Sequence, residues 1–165
     1  MLFESDIRCR MSDVGCRMSD VRCQKSILKN MSRIQIQLPE NFSFSAEIPI
    51  RITDINYGGH VGNDSILSIL HEARMQYLKH HGYTEMNFEG VSMIMSDVSI
   101  QFKSEAFYGD VLKAEVHATE FSRAGFTIYY KLTKEGTIVA IAKTGMVCYD
   151  YSKKKIVRVP DNLKV

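Results

Sequence analysis

Arg51-Ile-Thr-Asp-Ile-Asn-Tyr-Gly-Gly-His-Val-Gly-Asn63 separates two kinds of periodicity, and reading it decides the fold. Upstream, Phe42, Phe44, Ala46, Ile48, Ile50 and Ile52 fall two apart, the period of a strand with one buried face. Downstream, Ile66, Ile69, Leu70, Ala73 and Tyr77 recur at three and four, with Leu67 and Leu78 widening the stripe. That spacing predicts a helix over 64–81, started by Asn63 or Asp64 as cap and ended by Gly82. Glycines 58, 59 and 62 therefore stand just before a helix N-terminus, where unpaired N–H groups favour a developing oxyanion or a phosphate. Asp54, Asn56 and His60 are the polar side chains around it.

After the helix the chain returns to strand patterns. Residues 91–103 read as one long strand or a strand pair, and 110–121 alternate through Val111, Leu112, Ala114, Val116 and Ala118. Residues 126–133 and 138–149 form a hairpin through Lys134-Glu-Gly-Thr137. Antiparallel strands around a single early helix make an α+β domain. A lone helix cannot cover a wide sheet's edges, so pairing with a second copy is expected.

The chain's 165 residues suffice for one domain of ordinary size. A 45% hydrophobic and 24% charged composition argues for a folded core, and a net charge of +2 gives no nucleic-acid binder's basic excess. No apolar run approaches the roughly 20 residues that span a bilayer, so no membrane segment is expected.

The charge excess lies in residues 1–30, which hold six basic and four acidic side chains and three of the four cysteines. There Ser5-Asp-Ile-Arg-Cys-Arg-Met11, Ser12-Asp-Val-Gly-Cys-Arg-Met18 and Ser19-Asp-Val-Arg-Cys-Gln-Lys25 repeat every seven residues. One apolar seam is short of a coiled-coil heptad, and cysteines seven residues apart lack zinc-ligand spacing. Residues 1–30 read as a low-complexity tail without a signal peptide, residues 31–165 as the domain, and Met31 as a possible start. A cytoplasmic location is expected. Cys148, in an apolar strand, reads as core, and His71, His80, His81 and His117 lack metal-ligand spacing, so no metal is expected.

The opening stretch, followed by His71-Glu-Ala-Arg-Met-Gln-Tyr-Leu78, resembles the signature of the 4-hydroxybenzoyl-CoA thioesterase-like branch of the hot-dog fold. Phe102-Lys-Ser-Glu-Ala-Phe-Tyr-Gly-Asp-Val-Leu112 and Val159-Pro-Asp-Asn-Leu163 are similar to its later segments, so the likeness covers about residues 44–163. The resemblance implies a five-stranded antiparallel sheet wrapped around a central helix, in a homodimer or homotetramer with active sites at subunit interfaces. It implies hydrolysis of an acyl-CoA or acyl-carrier-protein thioester, with CoA as substrate and no cofactor. The thioester carbonyl would meet the backbone N–H of Asn63 or Asp64.

The sequence also departs from that pattern. The family's catalytic carboxylate is the second acid of D-x-D, and that position is Asn56. An amide cannot act as base or nucleophile, which opens a second reading: a binding protein that holds acyl thioesters without turnover. Another hot-dog branch carries its carboxylate on the central helix, and Glu72, eight residues beyond Asp64, fits that place; it reads equally as a solvated acid bonded to Gln76, Lys79 or a partner. His60 matches the family's G-H-V-x-N histidine, and it can shuttle a proton or simply brace the loop. Arg123, in Ser122-Arg-Ala-Gly125, together with Lys153 and Arg158, are candidates for the nucleotide, set against plain solvated turns.

Overall fold

The computed structural model describes residues 34–161 and residue 163. The seven-residue repeats, the domain boundary at 31 and the reading of Met31 lie outside the described residues. One antiparallel sheet holds β1 (Phe44–Pro49), β2 (Ser92–Phe102), β3 (Val111–Thr119), β4 (Gly125–Lys134) and β5 (Thr137–Asp150). Their order is β1-β3-β4-β5-β2, and a two-residue β6 (Lys155–Ile156) pairs with β5. Helix α1 (Asn63–His80) packs against β1 and β3. It is the one long helix of the described residues, and none there is long and apolar enough to cross a membrane.

The core forms where the helix's apolar stripe meets alternate residues of the sheet. Ile66, Ile69, Leu70, Ala73, Tyr77 and Leu78 are buried on α1, as the three-and-four spacing requires. Across the sheet the register sets small beside large: Ala114 opposite Leu132 and then Ala140, Val116 opposite Tyr130 and then Ala142. Such rows leave room for a helix to lie close over the sheet. On the other face Ile36, Tyr129 and Ile141 form a second small cluster, flanked by Leu38 and Phe42.

The helix ends as predicted at Gly82, whose φ of +80° is a conformation that few residues other than glycine accept. Its start differs. Gly62 is the N-cap, and Asn63 and Asp64 lie inside the first turn. The strand expected through Ile52 also stops early, at Pro49. Residues Ile52–Asp54 form a turn of 3-10 helix, which breaks the alternation; Ile50 is 3% exposed and Ile52 67%.

Gly125 is tied to its place by sterics. A Cβ there would collide with the backbone carbonyl oxygen of Met146 on the paired strand. Because backbone cannot swing aside as a side chain does, Gly125→Ala is expected to cost about 1–3 kcal/mol. The urea unfolding midpoint measures it, and an unchanged midpoint would contradict the contact.

Four carboxylates are held below their ordinary range, which sets the acid limit of stability. Asp110 accepts the Phe107 N–H and the Lys134 ammonium, and Glu115 pairs with Lys131 and Lys113. Glu120 accepts from Thr127 and Tyr129, and Asp150 from Ser152 and Lys153. Lowered folded-state pKa values add stability above the unfolded carboxylate pKa of about 4, and it is lost as pH falls through the folded values. The melting temperature should therefore hold between pH 7 and about 5 and decline below about 4. A melting temperature that rises on acidification would refute this.

Candidate active site

The Gly-rich stretch is built as a closed loop. Asp54 Oδ2 accepts the Arg51 N–H at 2.7 Å, so this carboxylate turns back on its own 3-10 turn. Ile55 and Val61 then pair as an isolated antiparallel bridge, and the Asn56 N–H donates to the His60 carbonyl at 2.9 Å. Inside the loop Asn56 Oδ1 accepts the Gly58 N–H at 2.8 Å, and Gly59 turns the chain with a φ of +82°. Tyr57 is fully exposed at the tip. Two backbone bonds fix the loop's exit: Gly62 N–H to Asp54 O and Val61 N–H to Ala106 O, each 2.9 Å.

The loop fixes the imidazole of His60. Its Nδ1 lies 3.1 Å from the Val61 carbonyl and 3.4 Å from Asn56 Nδ2. A carbonyl only accepts, so the shorter contact places the proton on Nδ1 and leaves Nε2 as the acceptor. The amide of Asn56 then serves the loop through its oxygen.

Directly after the loop, the helix opens on a pocket. Its first backbone bond runs from the Ile66 N–H to Gly62 O at 3.0 Å, so the N–H groups of Asn63, Asp64 and Ser65 have no intrahelical acceptor. A pocket of about 230 Å3 is lined there by His60, Asn63 and Ile66, and across from them by Phe102, Lys103 and Glu105. An anion or a polarised carbonyl in it would meet the positive end of the helix.

The other expected residues lie elsewhere. Glu72 is exposed, accepts from Gln76 Nε2 at 2.8 Å, and shares a shallow groove with Asp54, Arg51 and Ser68 rather than the His60 pocket. Arg123 and Arg158 come together, 35 residues apart in sequence, along a groove of about 660 Å3 with Phe121 and Ser122. There the Val159 N–H donates to Arg123 O at 3.0 Å and Arg158 pairs with Asp161 at 2.9 Å, while Arg123 has no ion pair among the described residues. Lys153 is not in that groove; it pairs with Asp150 at 3.0 Å in the turn before β6.

Two groups escaped the sequence reading. Arg74 is 5% exposed within the helix's apolar stripe and binds Glu85 Oε1 at 2.7 Å; its place between Leu70 and Tyr77 was the available signal. Glu105 carries no periodic signal, because only the Val61–Ala106 bond brings its segment to the loop.

Known proteins resemble this chain in sequence and fold. The family model of the thioesterase-like superfamily matches residues 50–165. The 1,4-dihydroxy-2-naphthoyl-CoA hydrolase of Microcystis aeruginosa is 30% identical over 118 residues, covering 70% of this chain and 86% of that protein. The acyl-CoA thioesterase YbgC of Haemophilus influenzae is 24% identical over 132 residues, covering 77% and 94%. A solved 1,4-dihydroxy-2-naphthoyl-CoA thioesterase from Synechocystis superposes with a TM-score of 0.65 at 24% identity, covering 71% of this chain and 89% of its own. With that breadth of match, a single helix against one antiparallel sheet and a Gly-rich turn leading into the helix, the chain has the hot-dog fold and belongs to the thioesterase-like superfamily.

Proposed function

We propose that the chain hydrolyses an acyl thioester of coenzyme A or of an acyl carrier protein, with no cofactor. The observation that carries this reading is the juxtaposition, in one pocket, of the free N–H end of α1 and His60. The thioester carbonyl oxygen takes the N–H of Asn63 or Asp64, where negative charge is stabilised as it develops. Water adds to the carbonyl carbon and its proton passes to His60 Nε2. The tetrahedral intermediate collapses, the C–S bond breaks, and the same proton goes to the leaving thiolate, giving a free acid and a thiol. Asn56 has no acid–base part; through Gly58 it keeps the loop in shape.

Arg123 and Arg158 offer cations to the nucleotide's phosphates; Lys153, paired with Asp150 outside their groove, takes no part. Glu72 enters only if a second copy brings it to the pocket. Met95, Val98 and Phe102 are partly exposed on the edge strand β2, which supports a homodimer through that edge or a tetramer of two such pairs. A thioester of a soluble carrier suits a cytoplasmic protein.

Thiol release from a panel of short, long and aromatic acyl-CoAs, with binding measured in parallel, tests the reading. Turnover of at least one thioester is expected; tight binding without turnover, with activity appearing only in Asn56→Asp, would overturn it in favour of a binding protein.

A further inference from the structure

We infer that Glu105 is the carboxylate partner of His60, holding the imidazolium that forms when His60 accepts the water's proton. The inference rests on the thioester-hydrolysis reading and adds to it the negative charge that Asn56 cannot supply. A histidine base is strengthened when a carboxylate faces its protonated form, because opposite charge favours that form.

Glu105 is singled out by its place in the pocket. Among the described residues it is the only carboxylate lining the His60 pocket. Asp54 is committed to the Arg51 N–H and Glu72 to Gln76. Glu85, Glu115 and Glu120 are likewise engaged, with Arg74, Lys131 and Tyr129. Glu105 has no hydrogen bond or ion pair among the described residues, so its carboxylate is available.

Its backbone, by contrast, is held firmly. The Lys103 and Ser104 N–H groups both donate to Val139 O, at 2.8 and 3.2 Å, and Ser104 Oγ donates to Ile138 O at 2.9 Å. On its other side Ala106, 2% exposed, accepts the N–H of Val61, the residue next to His60. Glu105 thus stands between two anchored residues, one of them bonded to the histidine's own neighbour. A free acid on a fixed backbone, lining the same pocket as a histidine, is placed to act as its electrostatic partner.

Two charged groups line the pocket together with His60, while Asp54 and Asp64 flank the loop outside it. The segment after β2 presents Glu105 and Lys103, of opposite sign. From α1 and β5 come Asn63, Ile66 and Val139, all uncharged, and His60's own loop adds the neutral Asn56. Removing each charge should move the His60 titration in opposite directions.

The experiment follows the His60 ring by NMR across pH 5–9 in the full chain, alongside the pH profile of kcat/KM for the best acyl-CoA. In Glu105→Gln the His60 midpoint should fall by about 0.5–1 unit, and in Lys103→Gln it should rise. In Glu105→Gln kcat should drop about 10–100-fold with KM little changed and the acid limb of the profile displaced in step with the NMR midpoint; Glu105→Asp should recover part of both. An unmoved His60 midpoint in Glu105→Gln would overturn the inference whatever the activity. Absence of turnover in the wild-type protein would instead overturn the hydrolase reading, and the NMR titration still reads the pairing by itself. Glu105 is exposed, so an unchanged melting temperature is expected and certifies each variant's fold.

Discussion

Arg74→Ala lowers the unfolding free energy by about 3 kcal/mol, the largest loss expected of any single charged side chain in the molecule. The guanidinium lies inside the helix's apolar stripe, 5% exposed, with Glu85 at 2.7 Å and Tyr130 beside it. Burial opposes its charge, but Tyr130 and Glu85 outweigh burial and hold it above its ordinary range. Tyr130 is itself pushed up by burial, with Arg74 and Thr144 working against that rise. Removing Arg74 therefore strips a partner from the Tyr130 hydroxyl, leaves Glu85 without its nearest cation and opens a hole between sheet and helix. Glu85 is 26% exposed and can turn to water, which places the cost at the lower end of the range for a broken buried pair. The pair also ties α1 to the segment leading into β2, because the Met93 N–H donates to Glu85 O at 2.7 Å. Arg74→Met with Glu85→Leu should regain part of the loss, since an apolar pair carries no desolvation cost. Chemical denaturation of the two variants decides it; a loss under 1 kcal/mol in Arg74→Ala would show that the guanidinium is not needed for packing.

His60→Ala should reduce kcat/KM by about 10²–10⁴, almost entirely in kcat. Among the described residues, the ring is the one group lining the pocket that offers an acceptor nitrogen, its Nδ1 being engaged with the Val61 carbonyl. The loop does not depend on the ring. Its closing bonds run through backbone, Asn56 N–H to His60 O and Gly62 N–H to Asp54 O. The melting temperature of the variant should therefore stay near that of the parent, and activity and stability separate cleanly. Activity within threefold of wild type would remove His60 from the chemistry.

Most of the fold was legible because it follows from spacing. The helix expected over 64–81 is found at Asn63–His80, and the strands expected at 126–133 and 138–149 are found at Gly125–Lys134 and Thr137–Asp150. Each has a long, regular apolar stripe that local physics turns into one kind of element. The errors fall where a single side chain overrides a period. Ile52 continues the alternation on paper, yet Asp54 captures the Arg51 N–H and bends the chain into a 3-10 turn. The helix cap went to Gly62 because its extended backbone, φ −68° and ψ 151°, already turns the chain into the helix.

The candidate site was legible only where it is local. Asn56, His60 and Asn63 lie within eight residues, and the fold keeps them together around one loop. Arg123 and Arg158 were named separately, and their common groove depends on the Val159–Arg123 backbone bond. Glu105 was invisible for the same reason: it stands 45 residues beyond His60, and what joins them is a tertiary hydrogen bond that no local pattern encodes.

The two ends of the sheet carry a last consequence. At one, β1 terminates in Pro49, which has no N–H to offer a further strand. At the other, β2 breaks register between Met95 and Asp97, where Ser96 donates to Gly145 O at 3.1 Å and bends the strand. A flat sheet with two open margins can grow without limit by adding chain after chain. Pro49 takes one donor from the β1 margin, and in a pairing through β2 a neighbour presenting the same margin would consume both. The pairing proposed above through β2 would therefore be self-terminating, a closed particle and not a fibre.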